Sequence, residues 1–360
     1  MNKITLQDIA DMLGISKGTV DRAVHNRPDV SYETRKKVLE LIEKYDYKPD
    51  KAARSLSLKL KKTKIGIICQ NNPDFFWNSV KMGINAAGVE ISDFGLQLIY
   101  KDLENGRNAE DIILKMDEII REKVDAIILV PADNSDVRQK IDEAVKRNIV
   151  VATLNDDITG TERIFYVGPQ MRQSGRIAGE LAVRFLKGSG KVVTVNFGLE
   201  SLEYRERLEG FIELLKESGK NVNIIANYTF NYEMMGSNCD NIIKGILEST
   251  GDFDAIYDID GAFLYNIGLI VKSIKKSDDV VLIGHEISEN VMELLKDGTI
   301  HACISQDPYS QGYYAVKLMA DYLLDGRKPV SERMHTRLDI ILRENMDYKG
   351  NNIINPFYFA

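Results

Sequence analysis

No apolar run of about 18 residues occurs anywhere in the chain, the length a helix needs to cross a bilayer. The opening segment MNKITLQDIA lacks the apolar stretch and small-residue cleavage site of an export signal, so the cytoplasm is the expected compartment. Cysteine is scarce: Cys69, Cys239 and Cys303 are far apart and odd in number. That pattern supports neither a disulfide framework nor a thiolate zinc site, and buried reduced thiols are expected. The four histidines, His25, His285, His301 and His335, have no metal-ligand spacing. Neither a GxGxxG nor a GxxxxGKS/T fingerprint is present, so a dinucleotide or nucleotide cofactor is not expected. Gly188-Ser189-Gly190-Lys191 is superficially phosphate-like but precedes a strand pattern, and reads as a helix-to-strand turn. No leucine heptads follow residue 345, which leaves a coiled-coil tail unsupported.

The chain does hold 44% hydrophobic and 28% charged residues, the composition of a soluble globular protein. Its net charge of −7 hides an asymmetry. Residues 1–62 carry 14 basic and 9 acidic side chains, whereas the rest carry 33 and 45. A basic head on an acidic body suggests that the head meets a polyanion.

Three short helical patterns open the chain. Thr5 is suited to cap a helix with Leu6, Ile9, Ala10 and Leu13 on one face. Gly14 suits a tight turn. Ser16 then caps a second helix with Val20 and Val24 inward, and Ser31 caps a third with Val38, Leu41, Ile42 and Tyr45 apolar. Two short helices joined by a glycine turn and braced by a third make a helix-turn-helix, whose second helix enters the major groove.

Residues 4–56 resemble the DNA-binding head of the LacI (lactose/galactose repressor) family. The matching residues are Thr5-Leu6, Asp8-Ile9-Ala10, Gly14-Ile15-Ser16, Thr19-Val20, Arg22, Val30-Ser31, Thr34-Arg35, Val38, Tyr47, Pro49 and Ala53-Arg54-Ser55-Leu56. Lys17 and Arg22 on the exposed face of the second helix can donate to guanine O6 and N7. Gly18 has no side chain with which to read a base. Ser16, Thr19, Ser31 and Thr34 suit phosphates, with helix-start N–H groups helping; for Ser31, capping and phosphate contact are equally open. Thr5 and Ala53 complete the implied DNA-contacting set. Asp21 departs from the family's serine; it either turns outward, pairs with Arg22 or accepts from a cytosine amino group. Residues 50–58 match the family's hinge helix, which implies that Leu56 wedges into the minor groove at the operator centre.

From Lys64 onward, short β-branched runs alternate with helical patterns: KIGIIC, LQLIYK, DAIILVP, IVVATLN, KVVTVNF, NIIANYT, DAIYDI, VVLIGH and HACIS. Such alternation implies parallel sheets covered by helices on both faces. The segment resembles a type I periplasmic-binding-protein fold of the ribose-binding kind, with two doubly wound parallel sheets as two lobes. The expected organisation is a DNA-binding domain over 1–49 and a hinge helix and linker over 50–62. A ligand-binding domain over 63–345 follows, with a tail over 346–360. Its first lobe is expected at about 63–163 and 307–334, and its second at about 164–306 and 335–345.

In this fold ligands sit at the carboxyl ends of the strands, between the lobes. There fall Asn72 and the rings Phe75, Phe76 and Trp77, any of which could pack on a sugar's C–H face. Other strand ends supply Asp133, Asn155, Asp156, Arg205, Asp260, Glu286 and Gln306. Arg205 matches the family's R-x-R-x-x-G-F helix start, where the first arginine bonds sugar hydroxyls. Asn155-Asp156 replaces the Asp-Arg pair of ribose binders, Glu286 an aspartate, and Val130 an asparagine; these departures imply a polyol other than ribose. Phe230 or Tyr232 would cover the other ring face. His285 lies beside the cleft, where packing or a hydrogen bond is its expected role.

The resemblance implies a homodimer on a pseudo-palindromic operator, regulated by a sugar or polyol. One alternative is an effector that is a partner protein; a sugar-processing enzyme using carboxylates across the cleft is not expected, because the resemblance explains these residues as hydroxyl acceptors.

Overall fold

The computed structural model describes residues 4–24, 29–45, 47, 62–104, 108–197, 202–230, 239–274 and 280–349. The head holds α1 (Leu6–Leu13), α2 (Lys17–Val24) and α3 (Tyr32–Lys44). Thr5 and Asp8 form a reciprocal capping box at α1, and the Thr5 hydroxyl first and the Thr5 amide second, both donating to the Asp8 carboxyl, hold it below its ordinary range. Gly14 closes α1 at φ 64°, a left-handed conformation that suits glycine. Ile9, Ala10, Val20, Ala23 and Val38 form a small core. Tyr45, expected on the apolar face of α3, is exposed, and Tyr47 packs against the core instead. Residues 50–61, expected to contain the hinge helix with Ala53 and Leu56, lie outside the described residues.

The first lobe contains β1 (Lys64–Cys69), α4 (Asp74–Ser92), β2 (Gln97–Asp102), α5 (Ala109–Arg121) and β3 (Ala126–Leu129). It continues through α6 (Ser135–Lys146), β4 (Val150–Leu154) and β5 (Phe165–Gly168). The second lobe contains α7 (Met171–Phe185), β6 (Ser189–Phe197), α8 (Leu202–Glu217), β7 (Asn221–Phe230) and α9 (Cys239–Ser249). It continues through β8 (Ala255–Asp258), α10 (Leu264–Ser273), β9 (Val281–His285), α11 (Glu289–Lys296) and β10 (Ala302–Ser305). The chain then returns to the first lobe for α12 (Pro308–Asp325) and β11 (Arg333–His335), and crosses once more to β12 (Asp339–Ile341) and a 3-10 helix (Arg343–Lys349).

Each lobe is a six-stranded sheet, ordered β11-β5-β4-β3-β1-β2 in the first and β12-β10-β9-β8-β6-β7 in the second. All pairings are parallel except β10 with β12. Central strands such as Ala126–Leu129 and Ala255–Asp258 are buried along their whole length, as expected when helices cover both faces.

Three expected boundaries move. Residues 165–168 pair with β4, so the first lobe runs past 163 to Gly168. His335 pairs with Gly168 and belongs to the first sheet. Met346, expected in a tail, is buried in the second lobe's core. Gly188 turns at φ 87° directly before β6, as the helix-to-strand reading requires.

Both lobes use one packing device. A Cβ on Gly83 of α4 would lie 2.0 Å from the Tyr309 carbonyl oxygen of α12, and one on Gly312 would lie 2.1 Å from that of Val80. In the second lobe, Gly175 of α7 and Gly210 of α8 stand in the same relation to Arg207 and Arg172, at 1.8 and 2.0 Å. Only glycine permits such close crossings of two backbones. Polar staples flank each crossing: Lys317 Nζ to Glu90 at 2.8 Å in the first lobe, and Arg176 Nη2 to Glu217 at 2.6 Å in the second.

Candidate functional site

The cleft between the lobes is built from strand ends. In the first lobe, the turn after β1 brings Gln70, Asn72 and Pro73 to the cavity, the first turn of α4 brings Phe75, Phe76 and Trp77, and the end of β4 brings Asn155. In the second lobe, the first turn of α8 brings Glu203 and Tyr204, the end of β8 brings Asp260 and Ala262, and the end of β9 brings Glu286. Gln306, on the crossover after β10, completes the lining. The cavity is narrow, with about 50 Å³ open to the centres of water molecules, room for a few waters.

Eight of the expected ligand residues therefore share one cavity: Asn72, Phe75, Phe76, Trp77, Asn155, Asp260, Glu286 and Gln306. Phe76 and Trp77 are buried in the first lobe's core, edge to face at 5.1 Å, while Phe75 is the most exposed of the three rings.

Four expected residues lie elsewhere. Phe230 is packed in the second lobe's apolar core. Asp156 lines a neighbouring cavity with Glu206, Arg172 and Arg333, and its Oδ1 accepts from the Asp157 amide at 2.9 Å. Asp133 and Arg205 pair with each other across the lobes at 2.9 Å, and Asp133 also binds Arg138. Helix phase explains the displacement of Arg205. Glu203, Tyr204, Arg207, Gly210 and Phe211 form the buried face of α8, and Arg205 falls on the opposite side. The second arginine of the motif, not the first, turns inward. A periodicity count back from Phe211 would have found Arg207, Tyr204 and Glu203, all absent from the expected set.

Arg207 is fully buried. Its Nη1 donates to the Ile259 carbonyl at 2.8 Å and lies 3.0 Å from Glu203 Oε1. Burial opposes its charge, but Glu203 above all holds its pKa above the ordinary value. Burial, and then the neighbouring Asp260 carboxylate, raise the buried Asp258 carboxyl. His285 is also fully buried; its ring sits 2.8 Å from the Tyr257 hydroxyl and 3.4 Å from Ser174 Oγ. Burial first, and Arg207 second, push its pKa well below the usual histidine range. Hydrogen bonding is its observed role.

Two of these strand ends and the crossover are among the positions with left-handed backbone. Asn155 and Glu286 have φ of 64° and 63°, and Asp307 has 56°. Residues other than glycine rarely adopt this left-handed conformation, and it concentrates at functional sites. The crossovers are tied together by the Gln306 carbonyl, which accepts from Gln311 Nε2 at 3.0 Å and Thr336 Oγ1 at 2.9 Å.

In the head, Ser16 and Ser31 cap α2 and α3, and each pairs its hydroxyl with that of Thr19 or Thr34 at 2.8 Å. Val20 and Ala23 face the core, which leaves Lys17 and Gly18 exposed. A Cβ on Gly18 would lie 3.8 Å from Arg22 Nη1, so the guanidinium lies alongside the bare backbone. Arg22 Nη2 reaches Thr19 Oγ1 at 3.3 Å.

The three cysteines are buried free thiols, and burial pushes that of Cys69 up to about 12. Among the described residues no cluster of histidine, cysteine and carboxylate groups could hold a metal, and no helix is long and apolar enough to cross a membrane.

Comparison with known proteins agrees with both halves. Residues 65–328 match the periplasmic binding protein domain, and residues 5–50 match the bacterial regulatory proteins of the lacI family. The chain is 28% identical over 219 residues to catabolite control protein A of Priestia megaterium, covering 60% of this chain and 62% of that protein. It is 25% identical over 293 residues to the transcriptional regulator CelR of Thermobifida fusca, covering 79% and 82%. The fold of GanP, a glucose-galactose binding protein from Geobacillus stearothermophilus, superposes with a TM-score of 0.71 at 23% identity, covering 79% of this chain and 99% of GanP. The chain thus belongs to the periplasmic binding protein domain family and carries at its N-terminus the DNA-binding domain of lacI-family bacterial regulators.

Proposed function

We propose that the protein is a sequence-specific transcription regulator, a repressor, whose operator affinity is set by a sugar or polyol held between its lobes. The observation that carries this reading is one chain joining a lacI-family helix-turn-helix to a cleft lined by rings and hydrogen-bonding groups. Lys17 and Arg22 read base edges, while Ser16, Thr19, Ser31 and Thr34 meet phosphates. Thr5 and Ala53 support the contact, and Leu56 enters the minor groove. Phe75 stacks on the ligand's C–H face, and Asp260, Glu286 and Gln306 accept from its hydroxyls. Two copies pair side by side in the cytoplasm on a pseudo-palindrome. Ligand changes the lobe arrangement, and with it the spacing of the two hinge segments, only through its differential affinity for the two arrangements.

The test is selection from a random duplex library with the full chain, with and without a panel of sugars and cyclitols. The expected result is an enriched two-fold-related sequence whose affinity responds to one panel member. Leu56→Ala should weaken that specific binding while sparing the salt-sensitive nonspecific binding. No enrichment under any condition, or equal loss of both binding modes in the variant, would contradict the proposal.

A further inference from the structure

The charge of the cleft is one-sided. Three carboxylates line it, Glu203, Asp260 and Glu286, and among the described residues no lysine, arginine or histidine does. The Arg207 guanidinium is engaged with Glu203 and a backbone carbonyl. Arg205 is held by Asp133 outside the lining. A second, independent observation concerns Gln306. Its side chain is 4% exposed and lines the cavity, and its Oε1 accepts no hydrogen bond. Asn155 Nδ2 gives one of its two N–H groups to Gln311 at 3.1 Å. The charged groups offered to a ligand are therefore all acceptors.

Resting on the reading of this cleft as a polyol site, we propose that it selects ligands whose polar groups are donors. These are uncharged polyols and their amine-bearing counterparts; sugar phosphates and sugar acids are rejected. Like charges brought together in a closed cleft of low dielectric repel strongly, which is discrimination by repulsion rather than by fit. A hydroxyl or ammonium instead makes charge-assisted hydrogen bonds to the same carboxylates.

The experiment is calorimetry of the full chain against matched sets built on glucose, galactose and myo-inositol, each in neutral, amine, phosphate and carboxylate form. In the set that binds, the neutral and amine forms are expected at least 100-fold tighter than the phosphate and carboxylate forms. In Glu286→Gln and in Asp260→Asn, the anionic forms are expected to gain affinity at least tenfold, a gain that damaged folding cannot produce. Anionic forms binding as tightly as the neutral parent would overturn the proposal and leave the polyol reading standing. No response to any member of any set would overturn both.

Discussion

The two lobes are built alike and equipped differently. Asn155 follows β4 and Glu286 follows β9, at equivalent places in the two sheets. Both are left-handed, and each donates its amide to the adjacent strand, to the Val167 carbonyl at 2.9 Å and the Ile304 carbonyl at 3.1 Å. Paired glycines set the helix crossing in each lobe. The first lobe nevertheless presents rings and amides to the cleft, whereas the second presents carboxylates backed by a buried guanidinium. The backbone device is shared because it shapes a strand end. On the proposed reading the side chains divide the labour of holding a ring-shaped polyol, apolar faces on one side and hydroxyls on the other.

The comparison breaks most visibly at Arg207, because among the described residues no arginine of the first lobe is fully buried. Arg207→Ala should destabilise the second lobe by about 4 kcal/mol, since it strands the buried Glu203 carboxylate. Urea unfolding followed by circular dichroism would check this, and a loss under about 1 kcal/mol would mean that the pair contributes little. Next in size is Phe75→Ala, expected to weaken ligand binding about tenfold, or about 1.4 kcal/mol, with little change in stability. An equal effect from Phe75→Leu and Phe75→Ala in calorimetry would argue against ring stacking.

Glu286→Asn makes the second lobe's strand end imitate the first. Asparagine tolerates the left-handed region better than glutamate, so stability should rise by about 0.5–1 kcal/mol while ligand affinity falls. Thermal unfolding and calorimetry on the same sample would separate the two effects. The smallest expected effect is Arg205→Gln, which removes the Asp133 bridge between lobes and leaves Asp133 its pair with Arg138. Arg205 is 57% exposed there, so the cost should stay below about 1 kcal/mol and fade with added salt. A large, salt-independent loss would assign the pair a role beyond holding the lobes together.

How far the sequence foretold these features depends on burial and length. Strands such as KIGIIC and VVLIGH announce themselves as apolar runs between turn residues, and the head's three helices follow from their caps and periodicity. Arg333–His335 and Asp339–Ile341 were not expected because three residues are too few to show a period. The cleft was legible at strand ends because fold class alone places ligands there. It was misread on α8 because motif position was followed instead of helix phase, which points Arg207 inward and Arg205 out. Phe230 was misassigned for a related reason: strand alternation turns it into the core, which the ambiguous local spacing did not disclose.

The coupling of cleft to head is tested most directly by the operator affinity of the full chain, measured with and without the sugar that most raises its melting temperature. A change of at least tenfold is expected, and it should vanish in Glu286→Gln at ligand concentrations that saturate the unmodified protein. An operator affinity indifferent to saturating ligand would contradict the claim that the cavity between the lobes governs DNA binding.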